Sequence, residues 1–389
     1  MKIAFFSNFL NHHQMPLCQE FIRQGCEFVF VATEKIEDNR LRMGYEDMNM
    51  APFVLRTYES TEAIQQAYEI AKSYDVVIFG ASPTTYLSAR METNKLTFRF
   101  CERSLKKGTW RRFIPKTRKK INEGYIRYKD KNLFILGASA YTSYDLSLCG
   151  FPKKKCFQWG YFPAIEKKDV NALLDLKKKN ERLEILYAGR LLKLKRVMDT
   201  LKSIKALIDK SITDIHCTII GDGEEKGRLY AYVQKHNLQD YVSFIPFMKP
   251  NEVRRYMDKA DVYIFGSNFY EGWGAVVNEA MNSACALIIS HAVGSAAFLV
   301  RQKENGLIYK CGNIMDLASK LEIVATNIDM REQMARNAYE TISNLWTAEI
   351  AVNRFLVFCN EFQKGEVITS YQQGPLSSAK IIKNNWVKK

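Results

Sequence analysis

Short apolar runs alternate with longer amphipathic segments along most of this chain of 389 residues. The runs are rich in Val, Ile and Phe, which is typical of parallel strands that are buried on both faces. The predicted strands are Lys2–Phe6, Phe28–Ala32, Val76–Phe79, Leu96–Phe100, Leu133–Leu136, Glu184–Tyr187, His216–Ile220, Val242–Ile245, Val262–Phe265 and Ala286–Ile289. The segments between them predict helices, among them Pro16–Gln24, Thr61–Ser73, Val197–Asp209, Glu224–His236 and Asn251–Lys259. Repeated strand–helix–strand order implies parallel sheets joined by right-handed crossovers.

The series of strands and helices runs twice, with a soft break near Gly160–Lys168. The sequence therefore predicts an α/β protein of two doubly wound, Rossmann-like domains that face a cleft, over residues 1–163 and 164–346. Ligands of such sheets bind beyond the carboxyl ends of the strands, so the cleft is the expected site. The polar stretch Gly365–Lys389 is either a weakly ordered tail or a strap across the surface.

Composition narrows the classes of protein and of partner. No apolar run approaches the roughly 20 residues that span a bilayer, and Met1–Leu10 is interpreted as a first strand instead of a signal peptide. The nine cysteines are scattered singly, which indicates reduced packing residues and a cytosolic protein. The net charge of +15 calls for an anionic partner, which could be nucleic acid, anionic lipid or a phosphorylated small molecule.

The stretch Asp261–Met281 has the most informative pattern. A buried strand ends in a polar loop, and Glu271-Gly272-Trp273-Gly274 then leads into a helix that opens near Ala275. Gly272 and Gly274 allow a ligand to approach the backbone, and the first helical turn offers N–H groups to an anion. Glu279 lies about two helical turns after Glu271, and a carboxylate accepts two hydrogen bonds from a ribose diol or a sugar ring. A glycine-rich helix cap with two solvated glutamates is the structural alternative.

Two further stretches follow predicted strands. Arg190 and Lys195 leave the carboxyl end of the strand in Ile185–Arg196, where two cations beside a helix N-terminus would suit a departing diphosphate. A solvated basic helix start explains the same residues equally well. The turn Gly221-Asp222-Gly223 positions a loop and indicates no chemistry of its own.

Taken together and in order, these stretches resemble the retaining glycosyltransferases of family 4, which have the GT-B fold. The likeness covers roughly Leu183–Phe362, and it includes Trp346 with the following predicted helix Thr347–Phe362, which looks like the family's closing segment. The motifs that carry it are Gly189-Arg190-Leu191 with Lys195, Gly221-Asp222-Gly223, Glu271-Gly272-Trp273-Gly274 and Glu279-Ala280-Met281.

The resemblance implies a role for each matching residue. Arg190 and Lys195 would neutralise the donor diphosphate, Glu271 would hold the donor sugar, and Glu279 the ribose. The loop around Phe247 would meet the base, and the backbone N–H groups of Trp273 to Ala275, flanked by Gly272 and Gly274, would complete the diphosphate site. Residues 164–346 would then form the nucleotide-sugar domain, and residues 347–389 would pack back onto an acceptor-side domain of residues 1–163.

The chain departs from the family pattern in three places. Ser283-Ala284-Cys285-Ala286 stands where the family usually has Gly-Pro, and the loop Gly294–Ala297 lacks the common second Gly and following Glu. Both changes bear on the identity of the sugar. The glycine pair expected after the first strand is also absent, since Asn8–Gln14 is NFLNHHQ. His12 and His13 there, and Glu102 and Arg103 after the strand Leu96–Phe100, are the candidate acceptor-side residues, with a turn or cap role as the alternative for the histidines.

The segment Arg103–Lys131 is strongly basic and contains interleaved aromatic and aliphatic residues. This composition suits an anionic membrane surface, and a lipid-diphosphate acceptor would account for both its charge and its apolar anchors. Binding of single-stranded nucleic acid and a solvated basic loop are the alternatives. The apolar anchors are Trp110, Phe113, Ile114, Tyr125, Ile126 and Tyr128.

The expected function is transfer of a hexose, with retention and without a metal or cofactor, from a nucleotide diphosphate sugar. A UDP-sugar is the favoured donor, and a lipid-linked saccharide or other membrane-associated acceptor in surface polysaccharide assembly, such as capsule, is the expected acceptor. The expected location is the cytoplasmic face of the cell membrane. A nucleotide-sugar epimerase of the same fold would need no acceptor and no basic flank. A nucleic-acid-binding protein would bind any polyanion and leave Glu271 and Glu279 without a role.

Overall fold

A computed structural model describes residues 1–37 and 46–387 of the chain. They separate into two compact units, each with its own parallel sheet. Unit 1 comprises Met1–Ala164 and Trp346–Lys383, and unit 2 comprises Ile165–Leu345 and the residues from Asn384 onward. The predicted class of two Rossmann-like α/β halves is therefore confirmed.

The described part of unit 1 contains a seven-stranded parallel sheet in the order β3-β2-β1-β4-β5-β6-β7. Its first strand lies in the interior of the sheet, and its neighbours β2 and β4 lie on opposite sides of it. The chain thus changes direction between β1 and β4, and their carboxyl ends diverge there to leave room for a ligand. The strands are β1 (Lys2–Ser7), β2 (Glu27–Ala32), β3 (Val54–Arg56), β4 (Val76–Phe79), β5 (Thr97–Cys101), β6 (Leu133–Gly137) and β7 (Cys156–Gln158).

Helices cover both faces of this sheet. Local signals set several of their ends: the hydroxyl of Ser60 accepts from the N–H of Ala63 at the start of one helix, and Asn94 ends another with a left-handed φ of 50°. Phe355 and Phe358 of the last helix pack against the ring of Phe98 of β5. The helices are Met15–Arg23, Thr61–Ser73, Thr84–Thr93, Pro115–Gly124, Thr142–Ser147 and Ala348–Lys364.

The described part of unit 2 contains a six-stranded parallel sheet in the order β10-β9-β8-β11-β12-β13. The change of direction falls between β8 and β11, where Val262 pairs with Ile185. The strands are β8 (Leu183–Ala188), β9 (Ile215–Ile220), β10 (Val242–Ile245), β11 (Val262–Phe265), β12 (Ala286–Ser290) and β13 (Gly306–Tyr309). The helices are Val170–Lys177, Val197–Ile208, Lys226–Lys235, Pro250–Lys259, Val276–Asn282, Ala296–Leu299, Ile314–Thr326 and Ile328–Asn344.

All ten predicted strands are present, each within one residue of its predicted ends. The three described strands that the apolar pattern missed, β3, β7 and β13, all lie at sheet edges. β3 and β7 are three residues long and only partly covered, so they lack the continuous apolar run that marks a central strand, whereas β13 is buried at all four positions. None of the helices in the described residues is long and apolar enough to cross a membrane.

The C-terminal stretch forms a strap. The backbone N–H groups of Leu376 and Ala379 donate to the carbonyls of Gln158 and Cys156, so this part of the stretch runs along the edge strand β7. Further on, the carbonyl of Asn384 lies 3.1 Å from Nε2 of His291 in unit 2. All nine cysteines are free thiols, and most of them are buried in one of the two cores.

Candidate functional site

The carboxyl ends of β8 and β11 in unit 2 place a lysine beside a glutamate. Lys195 follows β8 and Glu271 follows β11, and their Nζ and Oε2 atoms lie 2.5 Å apart with both side chains about 15% exposed. The ammonium also lies 5.0 Å from the ring centroid of Phe265, the last residue of β11. The ion pair is therefore largely buried, and screening of its charges by water is reduced.

Backbone contacts position this ion pair. The N–H of Asn268 donates to the carbonyl of Leu194 at 2.9 Å, which ties the loop after β11 to the loop after β8. The carbonyl of Asn268 accepts from the N–H of Glu271 at 3.0 Å, and its side-chain oxygen accepts from the N–H of Tyr270. Asn268 thus closes the turn that presents Glu271, a role that no sequence motif revealed.

Gly274 brings the next part of the loop onto the same strand end. Its φ of 82° is left-handed, and a Cβ at this position would lie 2.5 Å from the ring of Phe265. Only glycine fits both the conformation and the close approach. The helix that follows begins at Val276, after Ala275 at its N-cap. The side chain of Trp273 is fully buried and donates its indole N–H to Asn278, so it packs in the core.

Glu279 lies in the first turn of that helix with its side chain 15% exposed. Burial raises the pKa of its carboxyl group, an effect that the guanidinium of Arg254 opposes and the carboxylate of Glu166 reinforces. An Nη2 atom of Arg254 lies 3.9 Å from Oε1 of Glu279. Asn282 accepts a hydrogen bond from the same guanidinium at 3.0 Å, which orients it.

The charges of Arg190, Glu271 and Glu279 act on a pair of buried tyrosines, Tyr187 and Tyr263. The hydroxyl of Tyr187 donates to the carbonyl of Arg190 at 3.0 Å, and that of Tyr263 donates to the carbonyl of Ala188 at 2.9 Å. Burial raises the pKa of Tyr187, which the charge of Glu271 reinforces and that of Arg190 opposes. Burial likewise raises the pKa of Tyr263, with a smaller contribution from Glu279. Arg190, Glu271 and Glu279 therefore lie within electrostatic reach of one tyrosine pair.

The turn Gly221-Asp222-Gly223 supports this site from the neighbouring strand. A Cβ on Gly221 would lie 2.1 Å from the carbonyl oxygen of Gly189, so the two loops approach each other more closely than any side chain would permit. The carbonyl of Asp222 accepts from the N–H of Leu191 at 2.8 Å. The structure thus gives the turn the purely structural role that its sequence indicated.

Phe247, two residues after β10, is 42% exposed.

Unit 1 contains a cavity of about 810 Å³ where β1 and β4 diverge. His13 and Glu102 both line it. The ring of His13 lies 4.4 Å from that of Tyr161, whose hydroxyl donates to Glu102 at 2.7 Å, and Lys106 forms an ion pair with the same carboxylate. His12 contacts His13, with ring nitrogens 3.4 Å apart. Tertiary structure thus brings the two histidines and Glu102 into one chain of contacts.

Arg103 also lines the cavity, but its side chain is fully buried in an ion pair with Asp145. Two guanidinium nitrogens lie 2.9 and 3.1 Å from the carboxylate, which also accepts from the N–H of Leu105. Burial raises the pKa of Asp145, and the charge of Arg103 opposes that rise. This geometry gives Arg103 a structural role that its position after β5 did not reveal, because Asp145 is distant in the sequence.

The basic segment Arg103–Lys131 divides into exposed and buried parts. Trp110 and Phe113 are 60% and 72% exposed, and guanidinium groups lie over both rings. Tyr125 and Tyr128 are buried in the core of unit 1, together with Ile121. The expectation that all the aromatic residues of this segment are surface anchors is therefore wrong for these two tyrosines, which pack beneath the helix Pro115–Gly124. Within the described ranges, no group of three or more His, Cys, Asp or Glu residues could hold a metal ion.

Residues 174–341 match the family model "Glycosyl transferases group 1". Among curated relatives, an uncharacterized glycosyltransferase of Haemophilus influenzae is 30% identical over 167 residues, which are 42% of this chain and 46% of the relative. A Campylobacter jejuni alpha-1,4-N-acetyl-D-galactosaminyltransferase that acts on GalNAc-alpha-(1->4)-GalNAc-alpha-(1->3)-diNAcBac-PP-undecaprenol is 29% identical over 155 residues, 40% of this chain and 42% of the relative. The chain thus spans less than half the length of these relatives.

Among solved structures, that of HepE from Anabaena in complex with UDP has a TM-score of 0.69 at 14% identity. It covers 94% of this chain and all of HepE. This likeness shows the fold, which is GT-B. The family match covers residues 174–341, which are most of unit 2.

Proposed function

We propose that the protein is a retaining glycosyltransferase of family 4 that moves a hexose from a nucleotide diphosphate sugar to a lipid-linked saccharide or another membrane-associated acceptor. Surface polysaccharide assembly, such as that of a capsule, is the proposed process. A UDP-sugar is the favoured donor, because the GT-B neighbour HepE was solved with UDP. The Campylobacter jejuni relative acts on a saccharide linked to a lipid diphosphate, which supports an acceptor of the same chemical class.

The observation that carries the proposal is the Lys195–Glu271 ion pair at the point where β8 and β11 diverge. The two side chains suit the two groups that are joined by the bond to be broken. The ammonium can stabilise the departing diphosphate, and the carboxylate can accept hydrogen bonds from hydroxyls of the sugar. Arg190 also follows β8, and its side chain is exposed. The ends of two neighbouring strands therefore supply two cations for the leaving group and an acceptor for the sugar.

Glu279 is assigned to the ribose of the donor. Its partly buried carboxylate carries two oxygens that can accept from neighbouring hydroxyls, and Arg254 holds its side chain in place. Phe247 at the end of β10 is exposed enough to meet the base, and the backbone from Gly272 to Ala275 approaches the diphosphate. Unit 2 would then be the nucleotide-sugar domain.

In the proposed step, the bond between the anomeric carbon and the diphosphate oxygen breaks as the acceptor oxygen attacks the same face. The acceptor proton passes to the departing diphosphate, so the protein supplies no nucleophile. Lys195 stabilises the charge that develops on the diphosphate from a largely buried position, where such interactions are stronger than in water, and Arg190 adds a second, exposed cation. No metal is assigned to this step, so turnover with added EDTA should equal turnover without it.

Unit 1, with the helix Ala348–Lys364 packed on its sheet, is assigned to the acceptor, with His12, His13 and Glu102 on that side. The basic segment Arg103–Lys131 would meet an anionic membrane surface on the cytoplasmic face. Trp110 and Phe113 support this assignment, because both are exposed beside arginine side chains. Each cation near such a surface contributes roughly 1 kcal/mol.

The test is a thermal-shift series with UDP, GDP, ADP and CMP on the wild type, Glu279→Ala and Glu340→Ala. Glu340 is exposed on the helix Ile328–Asn344, so it provides a matched loss of one carboxylate away from the site. A ligand at about 100 times its Kd stabilises the native state by about 2.7 kcal/mol. Stabilisation by UDP in the wild type and Glu340→Ala, but not in Glu279→Ala, would support the donor site. Equal stabilisation of all three proteins, or none in the wild type, would refute it.

A further inference from the structure

The cavity of unit 1 carries an excess of positive charge. Its described lining includes seven cationic residues: Arg99, Arg103, Lys106, Lys107, Arg111, Lys116 and Lys120. Arg103 is paired with Asp145, and Lys106 with Glu102, the one acidic residue in that lining. The other five form no ion pair with any described residue. A concave surface of one sign focuses its field and favours an anionic ligand.

Arg99 in the centre of β5 is the decisive member of this set. It is only 9% exposed, yet its Nε and Nη1 atoms are buried without a hydrogen-bond partner among the described residues. Its guanidinium lies 5.2 Å from the ring centroid of Tyr125, which covers one face of the group. A buried charge is costly unless hydrogen bonds compensate it, so an acceptor for these two nitrogens would strongly stabilise the side chain.

Arg90 in the same unit shows how a structural arginine is satisfied. It is fully buried, and its three guanidinium nitrogens make five hydrogen bonds, four of them to backbone carbonyls. The fold therefore pairs a buried guanidinium internally where the group has only a structural role. Arg99 differs because it lines the cavity while two of its three guanidinium nitrogens have no hydrogen-bond partner among the described residues. A planar fork of this kind matches the oxygens of a phosphate group.

Two amide side chains in the same lining add a second specificity. Oδ1 of Asn11 and Oε1 of Gln14 are both buried and have no partner among the described residues. An amide oxygen accepts hydrogen bonds and therefore suits a hydroxyl group, not an anion. The cavity thus offers donors to a phosphoryl group and acceptors to hydroxyls, which is the combination found in a phosphorylated sugar.

We propose that this cavity binds a saccharide through a phosphate or diphosphate group attached to it, and that Arg99 is the residue that selects for the phosphoryl group. The assignment deepens the proposed function and rests on it, because it identifies the acceptor of the transfer as a phosphorylated saccharide. A free sugar phosphate and a saccharide on a lipid diphosphate share this chemistry. The lysines around the rim add charge without the directional fork that Arg99 provides.

The experiment is isothermal titration of the full chain, with saturating UDP present, against glucose 1-phosphate and against geranyl diphosphate-linked glucose. Arg99→Gln is compared with Arg228→Gln, an identical change at an exposed site on the helix Lys226–Lys235 of unit 2. We expect the affinity of Arg99→Gln to fall about tenfold or more, which corresponds to about 1.4 kcal/mol or more. Arg228→Gln should bind as the wild type does. Binding of the free sugar phosphate would indicate a soluble acceptor, and binding of the prenyl compound alone a lipid-linked one.

Equal affinity in wild type and Arg99→Gln, or no binding of either probe to the wild type, would overturn the proposal. Thermal melting of the full chain followed by circular dichroism provides the folding control, because it reports on unit 1, where Arg99 lies, as well as on unit 2. If Arg99→Gln fails to fold, Arg99→Lys replaces it: this variant keeps the charge but loses the fork, and its affinity should still fall. Absence of a UDP shift in the wild type would refute the donor site alone, and the titrations would then be repeated without UDP to judge the cavity separately.

Discussion

Replacing Lys195 with alanine gives the sharpest test of the donor-site chemistry. The ammonium is only 14% exposed and lies against the ring of Phe265, so its interaction with an anion is incompletely screened. At an effective dielectric constant of about 20, two unit charges about 4 Å apart interact by about 4 kcal/mol. Loss of one comparable donor in other enzymes raises the barrier by about 2.7–4 kcal/mol. We therefore expect kcat of Lys195→Ala to fall by about 100- to 1,000-fold.

The assay is release of UDP from a UDP-sugar in the presence of a membrane extract that supplies the acceptor. Lys193→Ala is the matched control, because this lysine lies two positions away and is exposed. The control should retain wild-type turnover. Both variants should melt as the wild type does to within a few degrees, since Glu271 remains partly exposed without its partner. Turnover of folded Lys195→Ala within threefold of Lys193→Ala would refute the assignment of this ammonium to the leaving group.

Three further predictions concern stability and binding. Gly274→Ala should lower the free energy of unfolding by about 1–3 kcal/mol and weaken UDP binding, because the added Cβ would lie 2.5 Å from the ring of Phe265. The control is Gly25→Ala, at a similar φ but with no atom within 4 Å of the added Cβ. It should lower stability less and leave UDP binding unchanged. Burial raises the pKa of Glu279, so ionisation of this carboxyl group opposes folding as the pH rises through that pKa. Glu279→Gln should therefore raise the melting temperature of the unliganded protein at neutral pH. A melting temperature below that of the wild type would contradict this prediction. Asp145→Asn should lower the free energy of unfolding by about 3–5 kcal/mol, because it leaves the guanidinium of Arg103 buried without its counter-charge. Chemical denaturation measures this loss, and a loss of less than about 1 kcal/mol would show that the ion pair is dispensable.

Much of the fold follows from local patterns in the sequence. A central parallel strand such as β4 is buried at every position, so its apolar run is continuous and its limits are visible directly. The positions of Lys195, Glu271 and Glu279 after such strands follow for the same reason. The edge strands β3 and β7 were missed because each is three residues long and partly uncovered, which removes the apolar signal, but β13 is fully buried and this cause does not apply to it.

The sequence named the residues of the candidate site in unit 2 but not their geometry. Sequence order placed Lys195 and Glu271 after different strands, and only the sheet order, with β8 beside β11, brings them into contact. The supporting groups escaped prediction altogether. Asn268 acts through a turn and Arg254 through a contact with Glu279, and neither carries a motif of its own.

The sequence by itself determined the class of the fold, the strands that lie at the centre of each sheet, and the loops from which a donor site would be built. These properties depend on residues that are near one another in the chain, through periodicity and glycine placement. Tertiary structure decided which basic residues are structural and which are available to a ligand. Arg90, Arg99 and Arg103 look alike in the sequence, but Arg90 is bonded to backbone carbonyls and Arg103 pairs with Asp145. Arg99 lines the cavity with two nitrogens that have no partner among the described residues. Burial and partners distant in the chain set that difference, and neither is encoded locally.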